Sequence, residues 1–389
     1  MKLRYNYRLY PTPLQEQTML QIAGNNRWLW NHFLRLNIEE YTKSKKFIFR
    51  YDLQKLLPGL KKNHLWLKES YAQTLQALTL DFDKALKFKK SGKKFPKFKS
   101  KHKNHGSFTY VQGTSVLDNQ LYLPKIGNIR VKLSRDLPHY TSVVIYQDGD
   151  HWYASFVIEK AEESTKEIKT VVGVDINADL IVCSNGATFI TPRPTRKYRN
   201  RIKLLQRRIA RKKLNSKNRK KARVKYQKLM RHIRNVQHDF AHKISSEIAN
   251  QADLISMETL DIESMKSNHY SAKAVQDNNW RSILNMIAYK TKLRGTHYVF
   301  ISQWLPSSKT CSHCGEKKDK LNIKQRVFAC DGCGNTESRD LNASKNIMFW
   351  GYQSYTGKAI PEAPVDVLLS RLSNDDETNT TTKQELRII

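Results

Sequence analysis

Apolar and polar side chains alternate from the start of the chain. In Lys2-Leu3-Arg4-Tyr5-Asn6-Tyr7-Arg8-Leu9-Tyr10 every second residue is apolar or aromatic, which predicts a strand. Pro11-Thr12-Pro13 ends it and starts a helical pattern through Leu14, Met19, Ile22, Trp28, Trp30, Phe33 and Leu34. Trp28 and Trp30 cannot share one helix face, so this stretch must pack on two sides. Further helical stretches are expected near 51–60 and 71–90, the latter with Leu75, Leu78, Phe82 and Leu86 at helical spacing. The pattern then changes period. SFTYV, QLYLP, IRVKL, SVVIY and WYASFVI read as strands over 107–160, separated by turn signals at Asp118-Asn119, Gly127-Asn128 and Asp148-Gly149. A small β-barrel is expected, with the first strand included and the helices inserted into it.

A second block starts near 170. TVVGVDINADLIVCSNGATFI predicts a meander with a hairpin turn at Asn185-Gly186. Residues 193–234 carry a helical stripe (Leu204, Leu205, Ile209, Leu214, Val224, Leu229, Met230), broken near Asn215-Ser216. ADLISMETL predicts a buried strand, WRSILNMIAYKTKLR an amphipathic helix and THYVFISQWL another strand.

Charge changes the picture most. The 389 residues carry a formal net charge of +34, with 39% hydrophobic and 10% aromatic residues. That composition suits a folded chain of two or three domains whose self-repulsion a polyanion must neutralise. Residues 193–234 contain 20 Lys or Arg and no Asp or Glu, so a phosphate backbone is the expected partner there. A second basic run, 87–105, interleaves Lys with Phe88, Phe95 and Phe98, a pattern suited to nucleic acid as well as to a solvated linker. No apolar run is long enough to span a bilayer, and Met1–Tyr5 lacks the core of a signal peptide; a cytoplasmic location is expected. There is no Walker loop, no GxGxxG and no internal repeat.

Cys311-Ser-His-Cys314 and Cys330-Asp-Gly-Cys333 give C-x2-C-x15-C-x2-C spacing. Two knuckles of this kind offer four thiolates to a closed, tetrahedral, structural zinc ion. Gly315 and Gly334 follow each pair, where a knuckle needs a permissive backbone. His313 is read as a bystander and Cys183, in an apolar strand, as a small core residue.

Three acids stand out by context. Asp175 interrupts Val171-Val172-Gly173-Val174, Glu258 ends Leu254-Ile255-Ser256-Met257, and Asp340 opens the helical pattern from Leu341 to Trp350. Taken singly, Asp175 could be a turn former at a strand end and Asp340 a helix N-cap. Taken together, acids from separate elements could converge on a pair of hard divalent ions such as Mg²⁺.

These segments carry a resemblance. VGVDINADLIVCSNG resembles the first motif of RuvC-type, RNase H-like nucleases, and LISMETL the second. SSKTCSHCG together with RVFACDGCGNTESRDLNASKNI resembles the zinc ribbon and third motif of the TnpB (OrfB) proteins of insertion sequences. YRLYPTPLQEQ and FPKFKSK are similar to that family too, so the likeness spans nearly all of 1–350. It departs at Ser338, where the family often has Asp, and at Thr259, where it usually has Asp or Asn.

The resemblance implies an RNA-guided DNA endonuclease related to compact type V CRISPR effectors. Such an enzyme takes a guide RNA from the transposon end and cuts double-stranded DNA beside a short flanking motif. It implies a multi-domain α/β fold: a wedge barrel (1–10 and 106–166) with an inserted helical recognition lobe (11–105), and an RNase H-like RuvC domain (167–310 and 334–352). A zinc ribbon (311–333) interrupts the RuvC domain. It makes Asp175, Glu258 and Asp340 the acids holding two Mg²⁺ ions, and gives Arg326 a place beside the scissile phosphate. The tail from 353 is expected to be disordered, and the chain to act as a monomer. Alternatives are an RNA-guided DNA-binding repressor that does not cut, and a transposase accessory protein.

Overall fold

The computed structural model describes residues 1–90, 95–101, 106–261, 279–322 and 325–357. The chain divides into two compact units, Met1–Lys160 and Ala161–Ile389.

In the first unit the opening strand β1 (Lys2–Tyr10) leads into helix α1 (Pro13–Ser44). Thr12 caps α1 as expected: its side chain accepts from the Gln15 amide, while the Gln15 side chain accepts from the Thr12 amide. Helices α2 (Arg50–Asn63) and α3 (Ala72–Lys90) follow, then six strands: β2 (Ser107–Tyr110), β3 (Ser115–Leu117), β4 (Gln120–Leu123), β5 (Gly127–Lys132), β6 (Tyr140–Asp148) and β7 (His151–Glu159).

The strands form one sheet in the order β2-β6-β7-β1-β5-β4-β3. β1 lies in the middle, antiparallel to both β7 and β5, so the helices are inserted between β1 and β2, two strands of one sheet, as expected. The sheet is a curled half-barrel. It keeps two edges, β2 and the three-residue β3, and so does not close into the anticipated barrel.

Two cores sit in this unit. Tyr7, Leu9, Phe108, Ile145, Trp152 and Phe156 line the concave side of the sheet together with Met19, Ile22 and Ala23 of α1. The rest of α1 (Leu29, Trp30, Phe33, Leu34) joins Leu53, Leu75, Phe82 and Leu86 in a helical core. Successive lengths of α1 thus meet two cores, and Trp28 and Trp30 both pack with the second. Trp30 is buried, whereas Trp28 stacks on His32 and meets His64 and Trp66 edge-on. Of the Lys/Phe run, Phe95 packs beside Tyr41 and Phe47 and Phe98 stays exposed; 91–94 and 102–105 lie outside the described residues.

The second unit begins with β8 (Val171–Ile176), β9 (Leu180–Cys183) and β10 (Thr188–Ile190). The short α4 (Pro194–Lys197) precedes α5 (Arg199–Ala210) and α6 (Lys217–Ile248), which break apart at Asn215-Ser216. Asn215 adopts a left-handed φ of 62° and Ser216 caps α6. β11 (Leu254–Glu258), α7 (Trp280–Leu293), β12 (His297–Ile301), the ribbon strands β13 (Val327–Ala329) and β14 (Thr336–Ser338), and α8 (Arg339–Thr356) complete it.

The five-stranded sheet runs β10-β9-β8-β11-β12, with β8, β11 and β12 parallel and β9 and β10 antiparallel. Its central strands are nearly continuous apolar runs because both faces are covered. Ile244, Ile248, Ile283 and Ile287 of α6 and α7 pack with Val172, Val174, Ile255 and Met257, while α8 lies against β8, β9, β11 and β12.

α8 approaches closely. A Cβ on Gly173 would stand 2.1 Å from the Ser344 carbonyl, and one on Gly351 would stand 1.8 Å from Ser256 Oγ. Ser256 Oγ donates to the Ile347 carbonyl at 2.6 Å where helix and sheet meet. α8 runs to Thr356, past the expected start of the tail; 358–389 lie outside the described residues.

Candidate carboxylate and cysteine sites

Parallel pairing brings the first two acids together. Val174 of β8 is in register with Met257 of β11, and each is followed directly by an acid, Asp175 and Glu258. Both therefore stand at the carboxyl ends of adjacent parallel strands, where open α/β sheets hold their ligands. Asp175 is within β8, paired with Val182 of β9, and so is not a terminal turn former.

Asp340 arrives from α8 and is only 6% exposed. The N-cap position belongs to Ser338, so Asp340 lies in the first turn, where a carboxylate is favoured by the helix dipole.

The acids sense one another. Burial, then the charges of Asp340 and Glu258, push the Asp175 carboxyl up to about 7, against a smaller lowering from Asn177 and Arg339. Burial alone pushes Glu258 up to about 7. The repulsion thus registers on Asp175, while Glu258 is set by its own surroundings. Asn177 Nδ2 donates to Asp175 Oδ2 at 2.7 Å and fixes that carboxyl. Arg326 Nη1 lies 3.9 Å from one Asp340 oxygen and Arg339 Nε 3.8 Å from the other. The Arg326 side chain remains 63% exposed, so its guanidinium also faces solvent. Two half-buried carboxyls with raised pKa values, Asp175 and Glu258, suit a hard dication, because added positive charge removes the cost of ionising them.

The cysteines are tighter. Ligand atoms of Cys311, Cys314, Cys330 and Cys333 all lie within 4.8 Å of one another, the only such group of three or more among the described residues. The three acids do not form such a group. Four sulfurs in that space are the donor set of a closed zinc site. Gly315 and Gly334 have φ of 83° and 72°, the left-handed backbone that each knuckle demands. His313 is exposed and outside the group; Cys183 is a buried core residue whose thiol burial pushes up to about 12. The paired strands β13 and β14 join the second knuckle to α8, with Val327 opposite Ser338.

The basic hairpin forms as expected. Leu205, Leu229 and Ile233 hold α5 on α6, and Arg208, Arg211, Lys212, Lys221 and Lys225 line one groove between them. The sequence reading missed Asn177, Arg339, Asn342 and Glu337. Asn342 and Asn346 carried a signal, since buried-type asparagines four apart in an otherwise apolar helix need partners.

Comparison with known proteins shows what the chain is similar to. Three family models match: "Helix-turn-helix domain" over 1–46, "Probable transposase" over 155–269 and "Cas12f1-like, TNB domain" over 280–347. In this chain 1–46 forms β1 and α1. A protein of Streptomyces pristinaespiralis named "Putative RNA-guided DNA endonuclease" is 29% identical over 361 residues, covering 90% of each chain. A protein of Escherichia coli K12 named "Putative RNA-guided DNA endonuclease InsQ" is 26% identical over 395 residues, covering 94% of this chain and 98% of its own. A chain in a solved Cas12f1–sgRNA–target DNA complex superposes with a TM-score of 0.56 at 14% identity, covering 90% of this chain and 98% of that one.

The half-barrel, the mixed sheet and the cysteine ribbon thus define a mixed α/β protein with the fold of the compact Cas12 effectors. These matches support the reading that the chain is similar to the TnpB (OrfB) proteins of insertion sequences.

Proposed function

We propose that this protein is an RNA-guided DNA endonuclease, encoded by an insertion sequence, that hydrolyses phosphodiesters of double-stranded DNA beside a short flanking motif. The observation that carries it is that Asp175 and Glu258 end adjacent parallel strands in register, with the charges of Asp340 and Glu258 acting on Asp175. The names of the Streptomyces and Escherichia relatives support the same reading. In it, 1–10 and 106–166 are the wedge, 11–105 the recognition lobe, 167–310 with 334–352 the RuvC nuclease and 311–333 the zinc ribbon.

The three carboxylates would hold Mg²⁺, which when bound supplies an activated water and neutralises charge on the phosphate. The protein's own groups provide the frame. Asn177 orients Asp175, β8 and β11 keep Asp175 and Glu258 side by side, and Arg339 holds Asp340. Arg326 presents a solvent-facing guanidinium next to Asp340, suited to a phosphate oxygen. The cysteine cluster would hold zinc as a structural ion.

Guide RNA and target DNA are the partners that a charge of +34 suits, with the α5/α6 groove a place where phosphates are met by several cations at once. Base pairing would read sequence and the protein would read backbone and flank.

Plasmid cleavage by the purified protein–RNA complex in Mg²⁺ tests this, with Asp175→Ala as comparison. The expected result is cutting that the variant lacks. Equal cutting by both removes Asp175 from the mechanism, and target binding without cutting by either leaves a repressor.

A further inference from the structure

The first turn of α8 holds Asp340, yet it is poorly supported from within. Ser338 makes no side-chain capping hydrogen bond, so the turn lacks a common source of helix-start stability. Its support comes from the ribbon. The Arg339 amide donates to the Arg326 carbonyl at 2.9 Å. Asn342, fully buried, accepts from the Ser312 amide at 2.8 Å and donates to the Thr310 carbonyl at 2.7 Å.

Thr310 and Ser312 flank Cys311, so one side chain grips the first knuckle on both sides of a sulfur ligand. A second tie runs from Ser312 Oγ to Glu337 Oε1 at 2.7 Å and from Lys345 Nζ to Glu337 Oε2 at 2.8 Å. Asn346 adds donations to the Ser307 and Thr310 carbonyls at 2.8 and 2.7 Å. Further along, α8 is fixed instead by the sheet, through Ser256, Gly173 and Gly351.

We propose that Asn342 is a positioning residue that couples the cysteine cluster to Asp340, so that occupancy of the cluster by zinc and affinity of the carboxylates for a divalent ion rise and fall together. This rests on reading Asp340 as a cation ligand. Zinc draws the two knuckles into one geometry; Asn342 transmits that geometry across two residues to Asp340. Because coupling between two binding sites is reciprocal, each ion should slow the loss of the other. A ribbon that merely occupies space beside the helix would give no such linkage.

The test uses the full chain. Zinc release into a chromogenic chelator is timed, and Mn²⁺ binding is followed by electron paramagnetic resonance, for wild type and Asn342→Ala. Loss of two buried hydrogen bonds predicts zinc release about tenfold faster and Mn²⁺ affinity about tenfold weaker. Stripping zinc from wild type should weaken Mn²⁺ by a similar factor, and stripping it from Asn342→Ala should add little. Glu337→Gln, which keeps shape and weakens the second tie, should change both readouts in the same direction by about threefold, and serves if Asn342→Ala does not fold.

Wild-type zinc release and Mn²⁺ affinity in the folded variants overturn the proposal. Asp340→Ala separates it from the nuclease reading. If that variant binds Mn²⁺ and cuts DNA like wild type, Asp340 is no cation ligand and the coupling falls with that reading; if neither wild type nor variant cuts, the nuclease reading itself falls. If Asp340→Ala loses both while Asn342→Ala keeps both, only the coupling falls.

Discussion

The second unit holds two candidate cation sites built in opposite ways. The four cysteines come as two short pairs, and each knuckle largely forms itself: glycines with left-handed φ follow both, and the sulfurs end within 4.8 Å of one another. The three acids are separated by scores of residues and meet only because β8 pairs with β11 and α8 lies across both. The thiols are soft donors that close around an ion. The carboxylates are hard donors, with Asp175 raised to about 7 by burial and by its neighbours' charge. A closed site suits structure, and an open, repelling one suits chemistry.

The comparison breaks most visibly at the acids. Asp175→Ala or Asp340→Ala should lower the cleavage rate by at least about a hundredfold, the scale of losing electrostatic stabilisation of a transition state, while leaving zinc content at wild-type level. Cleavage time courses beside metal analysis check both halves; zinc should stay bound at saturation yet leave Asp340→Ala faster than wild type, as reciprocal coupling requires.

Cys311→Ser should do the reverse. Zinc binding of this type contributes folding free energy directly. The variant should therefore lose zinc and melt at lower temperature in calorimetry, with cutting falling only through Asp340.

The pH dependence should separate the sites as well. The Asp175 carboxyl takes up a proton more readily in the folded chain, near 7, than it would unfolded, near 3.8. Between those values the folded state binds more protons, so stability falls as pH rises. In chelator, wild type should lose melting temperature from about pH 4 to about pH 7. Asp175→Asn should flatten that slope and gain a few degrees at neutral pH, and Mg²⁺ should restore wild type.

Smaller effects belong to the arginines and lysines. Removing Arg208 and Lys221 from the α5/α6 groove should reduce the slope of log affinity against log salt by about 0.9 for each phosphate that is no longer neutralised, measured with guide RNA. Arg326→Ala should slow cleavage by roughly tenfold, the scale of a single charge-assisted hydrogen bond, without changing that slope by more than one phosphate's share, about 0.9.

Much of the fold was legible. Period-two alternation marked β1 and the strands after 107, Thr12-Pro13 marked the start of α1, and Asn215-Ser216 marked the break between α5 and α6. Closure of the first sheet was not legible, because whether β2 and β3 meet depends on accumulated curl and not on any local pattern. Asp340 illustrates the same limit at one residue. Its place at a helix start was readable, but N-cap and ligand look alike until Ser338 is seen in the capping position.

The chain by itself determined the cysteine spacing, the basic stretch without acids and the positions of three acids at the edges of apolar runs. These are local facts, carried by neighbours in sequence and by the intrinsic geometry of turns and helices. Tertiary structure alone decided that Asp175, Glu258 and Asp340 share one electrostatic neighbourhood, and that Asn342 ties the ribbon to the helix bearing the last of them. Both depend on strand register and on close helix–sheet approach, which arise only when distant segments exclude water together.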